Sequence, residues 1–308
     1  MIYIFSKSYN PTVDKLIDWL IYYKLDFKRI DDIISEFDNI EFRSNLATAT
    51  CDEVNFYIFN KINLPFNFSS NQYLNNHLVY EYLFGFFAII NRRKTMGNIL
   101  QLHNVPKITT LYDAKKLGIL IPKTIVTTKK SELLEFYNEN LQIITKSSHD
   151  LFNFKIDNTT YRSYTIKLNL DNIETYSDKF GLSLFQENIE KKCDIKSFYF
   201  DGFFYSEAIF SQNDAQTEID FRIYDVIKPS RTSSFKLPKK LEIKVEKLLR
   251  SYNLNFAVVD FVLDYNESLY FLEINVDGIF DSISENNNYN CEKILAQFLY
   301  EEYNKTRN

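Results

Sequence analysis

The sequence predicts a protein of the α/β (α+β) class built from more than one structural unit. The first third alternates short apolar runs with an amphipathic helical pattern, which is typical of a small α/β domain. The last third contains pairs of apolar runs joined by turn residues, which is typical of antiparallel hairpins. The 308 residues suffice for one large domain or for two to three small ones, and 45% hydrophobic with 25% charged residues is an ordinary globular composition.

The N-terminal elements come first. Ile2–Phe5 predicts a strand, and a helix opens at Asn10-Pro11-Thr12 with apolar residues at helical spacing. Leu25–Ile30 and Asn55–Phe59 predict further strands, and residues 71–91 predict an aromatic-rich, buried helix. We therefore expect an N-terminal α/β domain over residues 1–95.

The middle of the chain predicts a second unit over residues 96–184. A helix begins at Lys107 and ends at Gly118, and a strand follows over residues 123–127. Ser131 is expected to cap the next helix, and residues 141–146 predict a strand that ends in Lys146. Residues 147–163 are polar and turn-like, so we expect a mobile lid loop after this lysine.

Residues 185–308 predict a third unit. Ile195–Phe200 and Phe203–Ile209 flank Asp201-Gly202, a favoured two-residue hairpin turn. A second hairpin is predicted from residues 256–263 and 269–275, with helices over residues 239–252 and 291–303. The two hairpins together predict an antiparallel sheet covered by helices.

Composition excludes several classes of function. Six glycines are too few for a glycine-rich phosphate cradle, so side chains would have to hold any nucleotide. The net charge of −5 argues against nucleic acid as a partner. Three widely separated cysteines indicate a reduced chain, the first residues lack a signal-peptide pattern, and the apolar stretch 78–90 is too short to span a membrane. We therefore expect a cytoplasmic protein without a membrane partner.

The second C-terminal hairpin carries the clearest candidate site. With a four-residue loop at 265–268, Asp260 lies directly opposite Glu273, and Asn275 shares the face of Glu273. Two carboxylates this close require a shared proton or a cation, and hard oxygen ligands suit Mg²⁺. We predict a Mg²⁺ site, with a solvent-facing polar row as the alternative. The other face is predicted to be the core side and comprises Val259, Phe261, Leu263, Tyr270, Leu272 and Ile274.

Taken in order along the chain, these motifs resemble the ATP-grasp superfamily. The resemblance covers residues 91–285 and begins with Lys107, the helix after it and Gly118-Ile-Leu-Ile-Pro-Lys-Thr124. It continues through Lys146 and the hinge Leu184–Ile189, and ends in Phe271-Leu-Glu-Ile-Asn275. It implies an ATP-grasp fold preceded by an N-terminal α/β pre-ATP-grasp domain, with ATP and Mg²⁺ as cofactors.

The resemblance also implies a role for each matching residue. Lys107 and Lys146 would contact the ATP phosphates, and Asp194 would meet the ribose. Lys196 stands where the family often has arginine and is assigned to the same nucleotide site. The adenine pocket would be lined by Gln186, Glu187, Asn188 and Ile189, and Mg²⁺ would be bound by Asp260, Glu273 and Asn275.

Within the superfamily, residues 2–19, the junction at Asn91 and Asp220-Phe-Arg222 look most like graspetide synthetases, the microviridin-ligase-like or grasp-with-spasm peptide maturases. That likeness implies an ADP-forming, homodimeric ligase that activates Asp or Glu side chains of a ribosomal precursor peptide, leader plus core, as acylphosphates. It would link them to Ser or Thr hydroxyls or to Lys amines. Arg222 is the first candidate for binding the peptide carboxylate and Arg231 the second.

Two other functions stay open at this point. One is an ATP-grasp ligase that adds an amino acid or an amine to a peptide or protein. The other is a peptide-binding protein that has lost catalysis, although such a binder would need none of the lysine and carboxylate motifs.

Overall fold

A computed structural model describes residues 2–31, 56–59, 85, 95–101, 105–140, 142–147, 153–156, 159–162, 164–214, 216–223 and 226–305. The described helices are α1 (Pro11–Tyr22), α2 (Lys107–Lys116), α3 (Lys130–Asn140), α4 (Leu170–Glu174), α5 (Lys239–Ser251), α6 (Asp281–Asn286) and α7 (Cys291–Lys305), with 3₁₀ turns at Ile99–Gln101 and Ser211–Asn213. The described strands are β1 (Ile2–Phe5), β2 (Phe27–Ile30), β3 (Phe56–Phe59), β4 (Thr95–Met96), β5 (Thr124–Lys129), β6 (Ile143–Lys146), β7 (Asn153–Ile156), β8 (Thr159–Arg162), β9 (Ile166–Leu168), β10 (Lys179–Glu187), β11 (Lys191–Phe200), β12 (Phe203–Phe210), β13 (Arg231–Phe235), β14 (Phe256–Asp264) and β15 (Leu269–Asn275).

The N-terminal sheet is parallel, with the strand order β2-β1-β3-β4. Helix α1 begins as predicted, because the side chain of Asn10 accepts a hydrogen bond from the backbone N–H of Val13 and a proline occupies the first turn. The predicted strands at 25–30 and 55–59 are confirmed with slightly later starts, and β4 was not predicted. Apart from Gly85, the predicted helix over residues 71–91 lies outside the described residues.

The N-terminal unit and the C-terminal sheet share one hydrophobic core. Leu16 and Leu20 of α1 belong to the same buried cluster as Leu295 of α7 and Phe198 of β11. The rings of Tyr23 and Tyr300 stack at a centroid distance of 5.2 Å. The C-terminal helix therefore packs against the first helix of the chain.

The central sheet has the order β5-β10-β6-β9 and its own small core, which includes Leu133, Phe136 and Phe185. Strand β6 ends in Lys146, as predicted. Ser131 lies inside α3, which begins at Lys130, so the predicted cap is wrong. Strands β7 and β8 pair as a hairpin, so the prediction of a purely turn-like segment is also wrong, whereas its role as a lid stays a prediction.

The C-terminal sheet is antiparallel, with the order β13-β12-β11-β14-β15. Both residues of the predicted Asp201-Gly202 turn have positive φ, +40° and +98°, which is the geometry of a tight hairpin whose twist matches its strands. Helices α2 and α5 cover one face, where the side chains of Leu111 and Val245 are buried in one cluster. The predicted domain limits at 95/96 and 184/185 stay a prediction.

The hairpin β14–β15 contains a β-bulge at Leu272. Asp260 lies opposite Glu273 as predicted, but Phe261 lies opposite Phe271, so Leu272 is the extra residue. The bulge reverses the alternation of side chains toward the loop. Leu269 and Phe271 therefore enter the core, and the prediction that Tyr270 and Leu272 face the core is wrong.

Two further properties concern the described cysteines and helices. Cys193 and Cys291 are buried free thiols, and burial raises their pKa to about 11 and about 12, so both stay protonated at neutral pH.

None of the helices in the described ranges is both long and apolar enough to cross a membrane.

Candidate functional site

A polar cleft lies between the central sheet and the C-terminal sheet. It comprises two adjoining cavities with empty volumes of about 500 and 460 Å³, including their open mouths. Five residues line both cavities: Lys146, Thr165, Asp194, Ile219 and Leu272. The central sheet contributes the lysine, and the C-terminal sheet contributes Asp260 and Glu273, so the fold brings the predicted phosphate and metal residues to one place.

The predicted metal ligands are adjacent. Asn275 Nδ2 donates a hydrogen bond to Asp260 Oδ2 at 2.9 Å, and Asp260 Oδ1 is buried without a hydrogen-bond partner among the described residues. Burial, opposed by the charge of Lys196 and reinforced by that of Glu273, raises the pKa of Asp260 to about 6. In the described part of the chain no cluster of three or more Asp, Glu, His or Cys residues is suited to a metal, so this site consists of two carboxylates and an amide.

Two lysines face this carboxylate pair. Lys107 Nζ lies 2.8 Å from Glu273 Oε2 and donates a hydrogen bond to the carbonyl oxygen of Ser147 at 3.2 Å. Lys107 is the first residue of α2, where the helix dipole disfavours a cation, so the adjacent carboxylate compensates its charge. Burial lowers the pKa of Lys146 to about 8, although Glu273 opposes this effect. Burial opposes the ionisation of Glu273, but the charges of Lys146 and Lys107 outweigh it and hold the pKa of Glu273 below its usual value.

Charged residues form a row across the C-terminal sheet. Glu207 of β12, Lys196 of β11, Asp260 of β14 and Glu273 of β15 are paired in register from strand to strand. Glu207 is fully buried. Its Oε1 accepts a hydrogen bond from Asn286 Nδ2 at 2.6 Å, and its Oε2 has no hydrogen-bond partner among the described residues. Sequence reasoning missed Glu207, although the Asp-Gly turn sets the register that places it opposite Lys196.

The four predicted adenine-pocket residues, Gln186, Glu187, Asn188 and Ile189, line the second cavity together. Gln186 is fully buried, its Nε2 donates to Thr124 Oγ1 at 2.8 Å, and its Oε1 has no hydrogen-bond partner in the described ranges. The carboxylate of Glu187 accepts a hydrogen bond from the backbone N–H of Lys123 at 2.8 Å, so it braces the hinge.

Asp194 also lies in the cleft, but its oxygens are engaged. Both accept hydrogen bonds from Lys191 Nζ at 2.8 Å, and Oδ2 also accepts one from Ser211 Oγ at 2.7 Å. Burial raises the pKa of Asp194, and the charge of Lys191 opposes this shift. Lys191 lines the second cavity and was not predicted, since its spacing carries no distinctive signal.

The two candidate arginines occupy different places. Arg222 lines the first cavity with Lys146, Asp260 and Glu273, so the structure brings it into the site. Arg231 begins the edge strand β13, is exposed, and stacks its guanidinium 4.4 Å from the ring centre of Phe210. Arg231 is not among the residues that line either cavity.

Comparison with known proteins identifies the architecture. No protein-family model and no curated protein matches the sequence. Three similar solved structures are a Chryseobacterium gregarium RiPP-associated ATP-grasp ligase in complex with ADP and a leader and core peptide, the macrocyclase MdnC from Microcystis aeruginosa bound with precursor peptide MdnA, and the ATP-grasp ligase PsnB complexed with a phosphomimetic variant of its minimal precursor, Mg and ADP.

The similarity to these structures extends over almost the whole chain. The identities are 20%, 19% and 13%, and the TM-scores are 0.81, 0.77 and 0.72 in the same order. The alignments cover 98%, 97% and 98% of this chain and 96%, 99% and 98% of the others. These likenesses confirm the ATP-grasp fold that the sequence resemblance implies.

Proposed function

We propose that this chain, which has the ATP-grasp fold of those ligases, is a graspetide synthetase. It uses ATP to activate Asp or Glu side chains of a ribosomal precursor peptide as acylphosphates, and it joins them to Ser or Thr hydroxyls or to Lys amines. The observation that carries the proposal is the cleft in which Lys146 and Arg222 lie with Asp260 and Glu273. The precursor peptides and ADP in the similar structures support the same substrate class.

The donor set of the cleft fits ATP with Mg²⁺. Asp260 Oδ1 and Gln186 Oε1 are buried acceptors without hydrogen-bond partners among the described residues. Asp260 lines the first cavity, where we expect the metal, and Gln186 lines the second, where we expect the adenine. Asp260, Glu273 and Asn275 supply the hard oxygen ligands that Mg²⁺ prefers. When bound there, Mg²⁺ supplies neutralisation of the negative charge on the phosphoryl group in transfer.

The first step is transfer of the γ-phosphoryl group to a peptide carboxylate. The bond between the terminal phosphorus and its bridging oxygen breaks, a bond to a carboxylate oxygen forms, and ADP leaves. Lys146 and Lys107 balance the phosphate charge. Arg222 uses Nε and one hydrogen of Nη2 for Asp220, and its Nη1 and remaining Nη2 hydrogens can donate end-on to the peptide carboxylate. These residues hold the two anions together against their mutual repulsion.

The second step closes the ring. A hydroxyl or amine attacks the carbonyl carbon of the acylphosphate, loses its proton, and phosphate leaves, so each ring removes one water from the peptide. Acylphosphates hydrolyse readily, so the cleft must exclude bulk water. Leu272, Val262 and Ile219 supply apolar walls for this purpose.

Co-expression with the candidate precursor tests this function. The precursor is the short peptide of a neighbouring reading frame with repeated Thr, Ser or Lys and Asp or Glu, and the product is analysed by mass spectrometry. We expect the loss of one water per ring, and no loss with an Asp260→Asn variant. Added amino-acid mass would instead identify a ligase of small amines, and absence of Mg²⁺-dependent ATP binding would identify a peptide-binding protein without catalysis.

We also propose that the enzyme is cytoplasmic, as the cysteine pattern predicts, and homodimeric, as the family resemblance implies. The buried, unbridged thiols of Cys193 and Cys291 agree with a reducing compartment. Light scattering coupled to size-exclusion chromatography measures the assembly directly, and a monomer at micromolar concentration would contradict the dimer.

A further inference from the structure

We propose that Asp220 is a positioning residue that fixes Arg222 and joins it to the wall of the nucleotide cleft, so that the peptide acid and the nucleotide bind cooperatively. The inference rests on the proposed function, and it adds a coupling between the two substrates of that function. It derives from three sets of contacts made by the segment that contains residues 211–223.

The first set fixes the guanidinium. Arg222 Nε donates to Asp220 Oδ1 at 2.7 Å and Arg222 Nη2 donates to Asp220 Oδ2 at 2.6 Å, which is a bidentate pair. The backbone N–H of Arg222 also donates to Asp220 Oδ1 at 3.1 Å. Asp220 is buried whereas about a third of the Arg222 side chain is exposed, so the arginine meets the cleft and the aspartate orients it from behind.

The second contact connects this pair to the nucleotide cleft. The backbone N–H of Thr165 donates to Asp220 Oδ2 at 3.0 Å, so one carboxylate oxygen serves both Thr165 and Arg222. Thr165 is buried and lines both cavities. It immediately precedes β9, whose first residue Ile166 pairs with Thr145, the neighbour of Lys146. A shift of β9 at the phosphate end of the cleft would therefore reach Arg222 through the carboxylate of Asp220.

The third set anchors the start of the same segment. Ser211 Oγ donates to Asp194 Oδ2 at 2.7 Å, and Thr217 Oγ1 donates to the carbonyl oxygen of Ser211 at 2.7 Å. Asp194 lies in both cavities, so the segment contacts the nucleotide cleft on two sides.

Ionisation of Asp220 supports this arrangement. Burial opposes its charge, but the hydrogen bonds and charge of Arg222 outweigh burial and hold the pKa of Asp220 below its usual value. Asp220 therefore carries its charge at neutral pH and keeps the guanidinium in one orientation. A fixed guanidinium loses less conformational freedom when it binds a carboxylate.

Thermodynamic linkage gives the expected behaviour. If Asp220 couples the two sites, a nucleotide increases the affinity for the peptide by some factor, and the peptide increases the affinity for the nucleotide by the same factor. Such factors are typically about 5 to 150. Removing the coupling residue should bring the factor close to one without abolishing either binding event.

The experiment measures that factor with defined probes. The peptides are the fluorescently labelled precursor from the neighbouring reading frame and a version with its core Asp and Glu changed to Asn and Gln. Affinity is measured with and without the non-hydrolysable analogue AMPPNP and Mg²⁺. For the unaltered protein we expect AMPPNP to tighten binding of the acidic peptide by about fivefold or more, and binding of the amide peptide by less than about twofold.

Two variants remove the coupling by different routes. Asp220→Asn keeps the shape and removes the charge. Thr165→Pro removes the backbone donor that contacts Asp220, together with the threonine hydroxyl, and fixes φ at this position. Both should reduce the factor for the acidic peptide to less than about twofold, and each variant's factor is taken relative to its own affinity without AMPPNP, so a general change in affinity cancels. Asp214→Asn is the matched control, because Asp214 accepts a hydrogen bond from the backbone N–H of Gln216 in the same segment without lining the cleft.

The outcomes separate this inference from the proposed function. If both variants keep the coupling factor of the unaltered protein, the inference is overturned. Ring formation by the unaltered protein would still support the proposed function. An equal loss of coupling in Asp214→Asn also overturns it, because the effect would then come from loop structure. Absence of AMPPNP binding to the unaltered protein overturns the function and the inference together. If Asp220→Asn fails to fold, Thr165→Pro decides the question.

Discussion

We expect Lys146 to make the ligand-free protein less stable than it would be with an apolar side chain at this position. Burial lowers its pKa from 10.5 to about 8, so the folded state disfavours the charged form that the unfolded chain carries. A pKa difference of this size corresponds to about 3 kcal/mol, and because Lys146 is only partly buried, solvent screening reduces the effect to about 2 kcal/mol. We therefore expect Lys146→Met to raise the free energy of unfolding by about 2 kcal/mol at pH 7 without ligand.

The destabilisation caused by Lys146 must become smaller as the pH rises. Because the pKa is lower in the folded than in the unfolded state, the unfolded state binds more protons between about pH 8 and 10.5. The destabilisation is therefore complete below about pH 8, decreases as the pH rises, and vanishes above about 10.5. The increase in the free energy of unfolding that Lys146→Met produces should likewise be full below about pH 8 and vanish above about pH 10.5.

Urea unfolding at pH 7 and at pH 10.5 measures this difference. For 308 residues, 2 kcal/mol also corresponds to a rise of about 3 °C in the melting temperature. The matched control is Lys167→Met, because Lys167 is exposed on the adjacent strand β9, opposite Ile144. A Lys146→Met protein no more stable than the unaltered one at pH 7, or an advantage that persists unchanged at pH 10.5, would refute the burial argument.

The same variant should lose nucleotide affinity. A charge-assisted hydrogen bond to phosphate contributes about 1.5–3 kcal/mol, which corresponds to roughly a 10- to 150-fold weaker Kd for AMPPNP with Mg²⁺. Calorimetric titration measures it, and Lys167→Met should bind as the unaltered protein does. Opposite changes in stability and affinity would show that the lysine is kept for binding.

Three other variants test the site and the fold. Asp260→Asn should lower ring formation at least about 100-fold, as should removal of Mg²⁺ with EDTA, and loss of the thermal shift produced by Mg²⁺-ADP would confirm a metal ligand. Arg222→Lys should slow ring formation by about tenfold or more, whereas Arg231→Ala should change the rate by less than about twofold in the same mass-spectrometric time course. Gly278→Ala should destabilise by about 1–3 kcal/mol, since a Cβ there would lie 3.2 Å from an aromatic ring and 3.3 Å from a backbone nitrogen at a φ of +21°. Gly181→Ala is its control, because a Cβ there meets nothing within 4 Å, and denaturant unfolding should show a change of about 0.5 kcal/mol or less.

Local pattern and turn chemistry predicted the elements that form the cleft. The turn Asp201-Gly202 and the lysine at the end of β6 were predictable because each depends on neighbours in sequence. The hydrogen bond between Thr165 and Asp220 was not, because it joins residues 55 positions apart through a backbone donor that has no sequence signature. The position of Arg231 outside the residues that line either cavity was likewise not predictable, because it depends on β13 being an edge strand.

The bulge at Leu272 explains why the predicted pairing of Asp260 with Glu273 is correct although the predicted register is only partly correct. A uniform register pairs Asp260 with Glu273, but the structure is offset by one residue near the loop and regains the predicted pairing only at the bulge. With regular alternation Leu272 would point into the core, opposite to the face of Glu273. The extra residue instead places Leu272 at both cavities and next to Glu273 in the first, so neighbouring residues supply an apolar wall and a candidate metal ligand. We therefore expect a one-residue deletion that removes the bulge to keep the hairpin but to end the side-by-side placement of an apolar wall and a carboxylate in the cleft.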